Sequence, residues 1–293
     1  MVSSLKKIIL KIYNLYSSNN LAESAAGLSY YMIFSIFPFS MVVYATLSLI
    51  SFDTNEIESL FKILIPNEIS KLIESFFTHL DKSGGISFLV LGIVLTIYTL
   101  TRYVKAYESR LNKIYGIKSR NTIKSWCIAL IFSQLLLIAF YATVFVIIVG
   151  ENFLEFLSDY VVLKSMFVKL YLFLRFFICA AIVFFTLLLL YYIIPTVKQK
   201  LKDILPGTTC VLIMWVILTL SFSYYMNNFS NYSVIYGTVG AFMILLLWLY
   251  FTNIILLSGA IINNHFFKKR TKQIDTNNIK YTKFDINSKE RQN

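Results

Sequence analysis

The sequence predicts an all-α, polytopic membrane protein with six transmembrane helices, and three observations carry the prediction. Between Asp203 and Lys268 lie 64 consecutive residues without Asp, Glu, Lys or Arg. A helix crosses the roughly 30 Å hydrocarbon core of a bilayer with about 20 apolar residues, so this gap holds two spans and a turn. Asn227, Asn228, Ser230, Asn231 and Ser233 mark the turn. The composition agrees, with 57% hydrophobic, 17% aromatic and 14% charged residues, against about 25% charged in an ordinary soluble domain. Finally, the apolar runs are continuous and lack the alternation of barrel strands, which selects helices.

Taken in order, charge-free windows cover 24–52, 83–101, 125–150, 176–197, 204–227 and 236–267. They place spans at about 28–51, 84–102, 125–149, 171–194, 205–226 and 237–262, within one membrane domain over 1–272. The first window is longer than the apolar core of a signal peptide and is followed by more spans, so no cleaved leader is expected. Ala22, Ala25, Ala26 and Ser29 repeat at helical spacing on the first helix, a stripe that permits a close crossing. Gly237, Gly240 and Ala241 do the same in the sixth. Pro38 interrupts the first helix's hydrogen-bond ladder, so a kink is expected there.

Outside the first span, Ile57, Leu60, Phe61 and Leu64 fall at helical spacing, and after Pro66 the pattern restarts as Ile69, Leu72, Ile73, Phe76, Phe77 and Leu80. Two external amphipathic helices fit, packed on the bundle or lying over it as a lid. Gly84 and Gly85 join them to the second span. Tyr103, Tyr107, Leu111 and Ile114 form another stripe, which extends the second span beyond the bilayer as a basic amphipathic segment. The tail 273–293 is polar and aperiodic and reads as disordered.

Orientation follows from Lys and Arg, which concentrate on the cytoplasmic side. With both termini inside, 21 of the 27 basic residues fall in internal segments and nine of the fifteen acids in external ones. This distribution also accounts for the net charge of +12. Basic internal loops contact anionic headgroups, so membrane lipids are the expected partners. No stacking-aromatic platform points to nucleic acid. A homo-oligomer is compatible with the sequence.

Catalysis is tested by elimination. His79 and His265 fall on opposite faces, which removes a two-His metal site within one chain. No Gly-rich phosphate loop, nucleophile elbow or metal-ligand cluster is present. No enzyme activity, metal or cofactor is therefore expected. Cys127, Cys179 and Cys210 are scattered without metal spacing and read as small buried apolar residues.

Polar groups within apolar spans are costly and hence candidates for function. Glu23 stands at the start of the first helix, where it faces the positive helix dipole or pairs with a cation. Arg175 lies about a turn and a half into the fourth helix if that helix begins near Leu170. It either snorkels to the headgroups or binds an anion in a central cavity. Asn253 and Gln134 are mid-span amides, more often interhelical hydrogen-bond partners than ligand groups.

Several motifs then coincide in order. The first helix reads Ala25, Ala26, Gly27, Leu28, Ser29, Tyr30, Tyr31, then Phe37 and Pro38. After the second come Leu111, Asn112, Lys113, Ile114, Tyr115 and Arg120. Pro195 closes the fourth, and Leu205, Pro206 and Gly207 open the fifth. Tyr232, Tyr236, Gly237, Trp248, Leu249, Tyr250, Gly259 and Ala260 follow. Over about residues 5–268 the chain resembles the YihY/virulence factor BrkB family. The resemblance implies a six-helix inner-membrane protein of unsettled biochemistry, from a family once labelled ribonuclease BN and linked in part to serum resistance or lipid export. In one respect the chain departs from the family: Ile261 follows Gly259 and Ala260 where a glutamate is common. The leading expectation is a transporter or flippase of a lipid or amphiphilic anion. A non-catalytic scaffold for envelope assembly comes second, and a membrane-bound nuclease last.

Overall fold

A computed structural model of the chain describes residues 20–49, 86–158, 164–228 and 231–290, with side chains over most of each segment. The expected external helices of 55–82 and the His79 position lie outside the described residues. Among the described residues all regular structure is helical. Six helices follow in order: α1 (Leu21–Leu49), α2 (Ile86–Tyr115), α3 (Thr122–Ser158), α4 (Lys164–Ile193), α5 (Leu201–Asn228) and α6 (Asn231–Glu290). Each packs on its chain neighbour, and α6 returns to close against α1 and α2.

Five helices contain stretches long and apolar enough to cross a membrane: Leu21–Val43, Thr122–Val146, Phe173–Ile193, Leu201–Tyr225 and Phe242–Thr271. The described part of α2 differs because Arg102, Lys105, Glu108 and Arg110 enter its second half. That half continues without a break from the apolar half, as the Tyr103, Tyr107, Leu111 and Ile114 stripe predicts. All four stripe residues are buried. Gly116, at φ +71°, then ends the helix in the left-handed conformation. The amide of Ile117 donates to Asn112 O at 2.9 Å across the same turn.

The connections that follow are capped by side chains. Asn121 Oδ1 accepts from Ile123 N at 3.3 Å at the start of α3. Asp203 Oδ2 accepts from Lys200 N at 3.1 Å, reaching back over the first turn of α5. The same carboxylate forms an ion pair with Arg270 of α6.

The described core gathers at one end of the bundle. Leu21, Ala25, Leu28, Tyr107, Leu111, Phe132, Tyr191, Ile204 and Leu257 meet there from all six helices. This end also holds Arg102, Lys105, Arg120, Lys198 and Lys200, and we call it the basic end.

Several local expectations change. Pro38 lies inside α1, and Gly92 of α2 packs close to the same turn. A methyl group on Gly92 would sit 3.2 Å from Met41 Cβ. Of the small-residue stripe, Ala25 and Ser29 are buried whereas Ala26 is exposed, because the stripe spans more of the helix than one partner covers. Helix α4 begins at Lys164, not near Leu170, which moves Arg175 about three turns inside it. The cysteines are not core residues: Cys127 is exposed, and Cys179 and Cys210 are half-buried. A weakly polar thiol is tolerated on such a surface when the surrounding medium is apolar. Helix α6 runs along the chain to Glu290 without a break. Residues 273–290 contain neither proline nor glycine to stop it.

Candidate functional site

The basic end offers a recess bounded by α1, α2, the α2–α3 connection and the start of α3. Its volume is about 340 Å³, and Tyr31, Arg102, Lys105, Glu108, Arg120 and Ser125 are among its lining residues. The helical repeat explains why α2 supplies most of them. Arg102, Lys105, Ala106 and Ser109 fall three and four residues apart and so share one face, while the Tyr103 stripe turns inward.

Trp126, in the second turn of α3, orients two of the cations. The Arg102 guanidinium lies 5.8 Å from the Trp126 ring centroid and 5.8 Å from that of Tyr98. Lys105 Nζ lies 4.2 Å from the Trp126 ring. Each contact of this kind is worth about 0.5–1 kcal/mol when exposed, enough to bias a rotamer while leaving the charge available.

Arg120 is held differently. Its Nη2 donates to Ile193 O at 2.9 Å and to Pro195 O at 2.6 Å, so the residue clamps the end of α4. Asn112 completes the clamp by accepting from Thr196 N at 2.9 Å. Tyr115 donates to Gln199 Oε1 at 2.9 Å, and burial raises its phenol above the ordinary value. Asn112, Arg120 and Pro195, which recur together in the sequence motifs, thus form one joint between α2 and the α4–α5 connection.

Glu108 is the recess's carboxylate. It is 3% exposed, and its Oε2 accepts from Ser125 Oγ at 2.5 Å. Among the described residues no Lys or Arg is ion-paired with it, and its Oε1 has no hydrogen-bond partner. Three cations against one carboxylate give the recess a positive balance. The positive end of the α3 helix dipole adds to the same sign. The arrangement attracts an anion.

The three polar candidates singled out from sequence are not brought together. Glu23 is exposed, and its Oε2 accepts from Asn20 Nδ2 at 3.4 Å. Arg175 is partly buried on α4, one turn before Cys179. Asn253 is fully buried between α6, α1 and α2. Its amide donates to Ser29 Oγ at 3.2 Å and Leu249 O at 2.9 Å, and its Oδ1 accepts from Tyr103 at 3.0 Å. Every polar atom of Asn253 therefore serves packing. Tyr107 and Tyr191 both donate to Leu256 O beside it, at 3.2 and 2.6 Å.

The remaining motif residues divide between packing and surface. Gly207 N donates to Asn263 Oδ1 at 2.9 Å. A methyl group on Gly207 would overlap Asn263 and Gly259 O, and one on Gly259 would overlap Val211 and Tyr191. Here α5 and α6 approach closely, and Ala260 is buried beside the contact. Pro206 sits one residue earlier, inside α5. Ile261 packs partly buried against the core. Tyr30 and Tyr31 are exposed, Trp248 and Tyr250 are half-buried, and the side chains at 236 and 237 lie outside the described set. Among the described residues Gln134 donates to its neighbour Ser133, at 3.5 Å. Glu108, Lys105 and Trp126 had not been singled out. Their signal was present as the 102, 105, 109 spacing on α2 facing an early tryptophan on α3.

A family profile described as virulence factor BrkB matches residues 12–280. The chain belongs to the BrkB family. It is 26% identical over 274 residues to the putative ribonuclease-like protein YfkH of Bacillus subtilis, covering 91% of this chain and 97% of that protein. A UPF0761 membrane protein of Xanthomonas campestris is 25% identical over 265 residues, which cover 85% of this chain and 58% of the longer relative. No solved structure matches. The family match and the apolar helices together make the chain a multi-pass helical membrane protein.

Proposed function

We propose that this BrkB-family protein is a non-enzymatic transporter or flippase of a lipid or amphiphilic anion in the bacterial cytoplasmic membrane, with both termini inside. The observation that carries the reading is the recess. Its cations, Arg102, Lys105 and Arg120, lie beside apolar surface that faces outward, with Tyr31 37% and Tyr98 55% exposed. A soluble anion has no use for the apolar surface, and a lipid without an anionic group has none for the cations. An amphiphilic anion uses both.

One observation favours a second reading, a non-catalytic scaffold for envelope assembly. Tyr107, Tyr191 and Leu257 are buried at the centre of the basic end, so the bundle axis is filled there. Substrate would have to move along a lateral face.

Purified full-length protein in proteoliposomes, with fluorescent anionic phospholipids and an external quencher, separates the two. Transport requires faster exchange than in empty vesicles. Exchange at the empty-vesicle rate, together with envelope enzymes that co-purify stoichiometrically, would select the scaffold. Arg175→Ala in the same assay tests whether α4 contributes, since loss of flux with normal folding assigns Arg175 to the path. A nuclease reading requires divalent-dependent RNA cleavage by the pure protein.

A further inference from the structure

The recess holds one feature that anion attraction does not explain. Glu108 brings a carboxylate into the wall of a cationic pocket, 3% exposed, with a single hydroxyl partner. Burying such a group without a full set of partners is costly. An anion site gains nothing from it. A site for a ligand that presents an anion and a hydrogen-bond donor together gains both charge balance and selectivity.

We propose that the recess seats a phosphodiester lipid headgroup bearing an N–H or O–H donor two carbons beyond the phosphate. Its phosphate lies on Arg102 and Lys105 and its donor on Glu108. The proposal deepens the transport reading and rests on the same recess. A phosphodiester carries one negative charge, whereas a phosphomonoester approaches two at neutral pH and would set the second against Glu108. A choline headgroup satisfies the cations but offers the carboxylate no donor.

The apolar surroundings select a lipid over a free phosphate ester. From Tyr31 the exposed face of α1 continues one turn on at Phe34, 54% exposed. From Arg102 the exposed face of α2 continues at Tyr98 and Val94, each four residues from the last. Acyl chains would follow these faces while the headgroup stays at the basic end.

Native mass spectrometry of the full chain tests the assignment, using micelles doped with equal amounts of phosphatidylethanolamine, phosphatidylglycerol and phosphatidylcholine. We expect the first two to be retained about tenfold over phosphatidylcholine, the discrimination of one charge-assisted hydrogen bond. Glu108→Gln keeps an acceptor for Ser125 and should abolish that preference while the protein stays folded. Arg102→Ala with Lys105→Ala should reduce retention of all three. Equal retention of the three lipids by the natural protein would overturn the proposal, as would a preference that survives Glu108→Gln. Displacement of the bound lipid by millimolar inorganic phosphate would overturn it too, by assigning the recess to a soluble phosphate. Selective retention without vesicle flux would uphold this site and remove transport. Flux that survives the double substitution would remove this site and leave transport standing.

Discussion

The basic end and the face of α4 are built by opposite rules. At the basic end side chains from all six helices interlock, and polar groups cross between elements at Asn112, Arg120, Gln199, Asp203, Asn253 and Asn263. In the apolar stretch Phe173–Ile193 of α4 only Leu190 and Tyr191 are buried, whereas buried residues recur along the corresponding stretches of α1 and α6. Phe173, Phe177 and Phe185 are all more than half exposed. On a soluble protein such a face would drive aggregation. In a bilayer the lipid is as apolar as the side chains, so leaving phenylalanine outside costs little. Specific association then depends on small residues and hydrogen bonds. The comparison teaches that polar and glycine positions, not apolar ones, fix how these helices meet.

Substitutions at the two regions sharpen that contrast. The largest effect is expected from Gly259→Leu, which forces α5 and α6 apart against Val211 and Tyr191. Overpacking costs about 1–3 kcal/mol, and overlap with both Val211 and the fully buried Tyr191 puts this site at the upper end, measurable as a lower denaturation midpoint in mixed micelles. Asp203→Ala follows, at about 3 kcal/mol, because it strands the Arg270 guanidinium and uncaps α5. Restoring stability with a second substitution at Arg270 would confirm that the stranded charge is the cause. Asn253→Leu should cost about 0.6–1.7 kcal/mol, the range for interhelical hydrogen bonds in membranes, because Tyr103 and Ser29 lose their partner. Phe185→Leu on α4 should stay within about 0.5 kcal/mol. An equal loss at Phe185 and Asn253 would break the comparison.

The parts of this architecture legible in sequence were those that a bilayer enforces. Charge-free windows gave six helices because a charge in hydrocarbon is costly wherever it stands along the span. The Tyr103 stripe gave the extension of α2 because burial of a helix face follows a fixed period. Burial at a crossing was less legible. Ala26 reads like Ala25, yet only the partner helix decides which is covered, and Gly92 stood alone without a repeat to announce it. For the site, Arg175 and Asn253 drew attention by standing inside apolar runs. The recess instead joins Arg102, Lys105 and Glu108 of α2 to residues of α1 and α3. Each of these is ordinary in its own segment, and only the packing of α1 and α3 on α2 makes them a set.

The most direct test of the account is phospholipid translocation in proteoliposomes that carry Arg102→Ala together with Lys105→Ala, with Phe185→Leu as the control. Both residues sit at the recess and neither holds the bundle together, so the account predicts that the double variant folds and that its flux falls to the empty-vesicle rate. The control should keep the natural rate. Unchanged flux in a well-folded double variant would contradict the account and remove the basic end from the transport path.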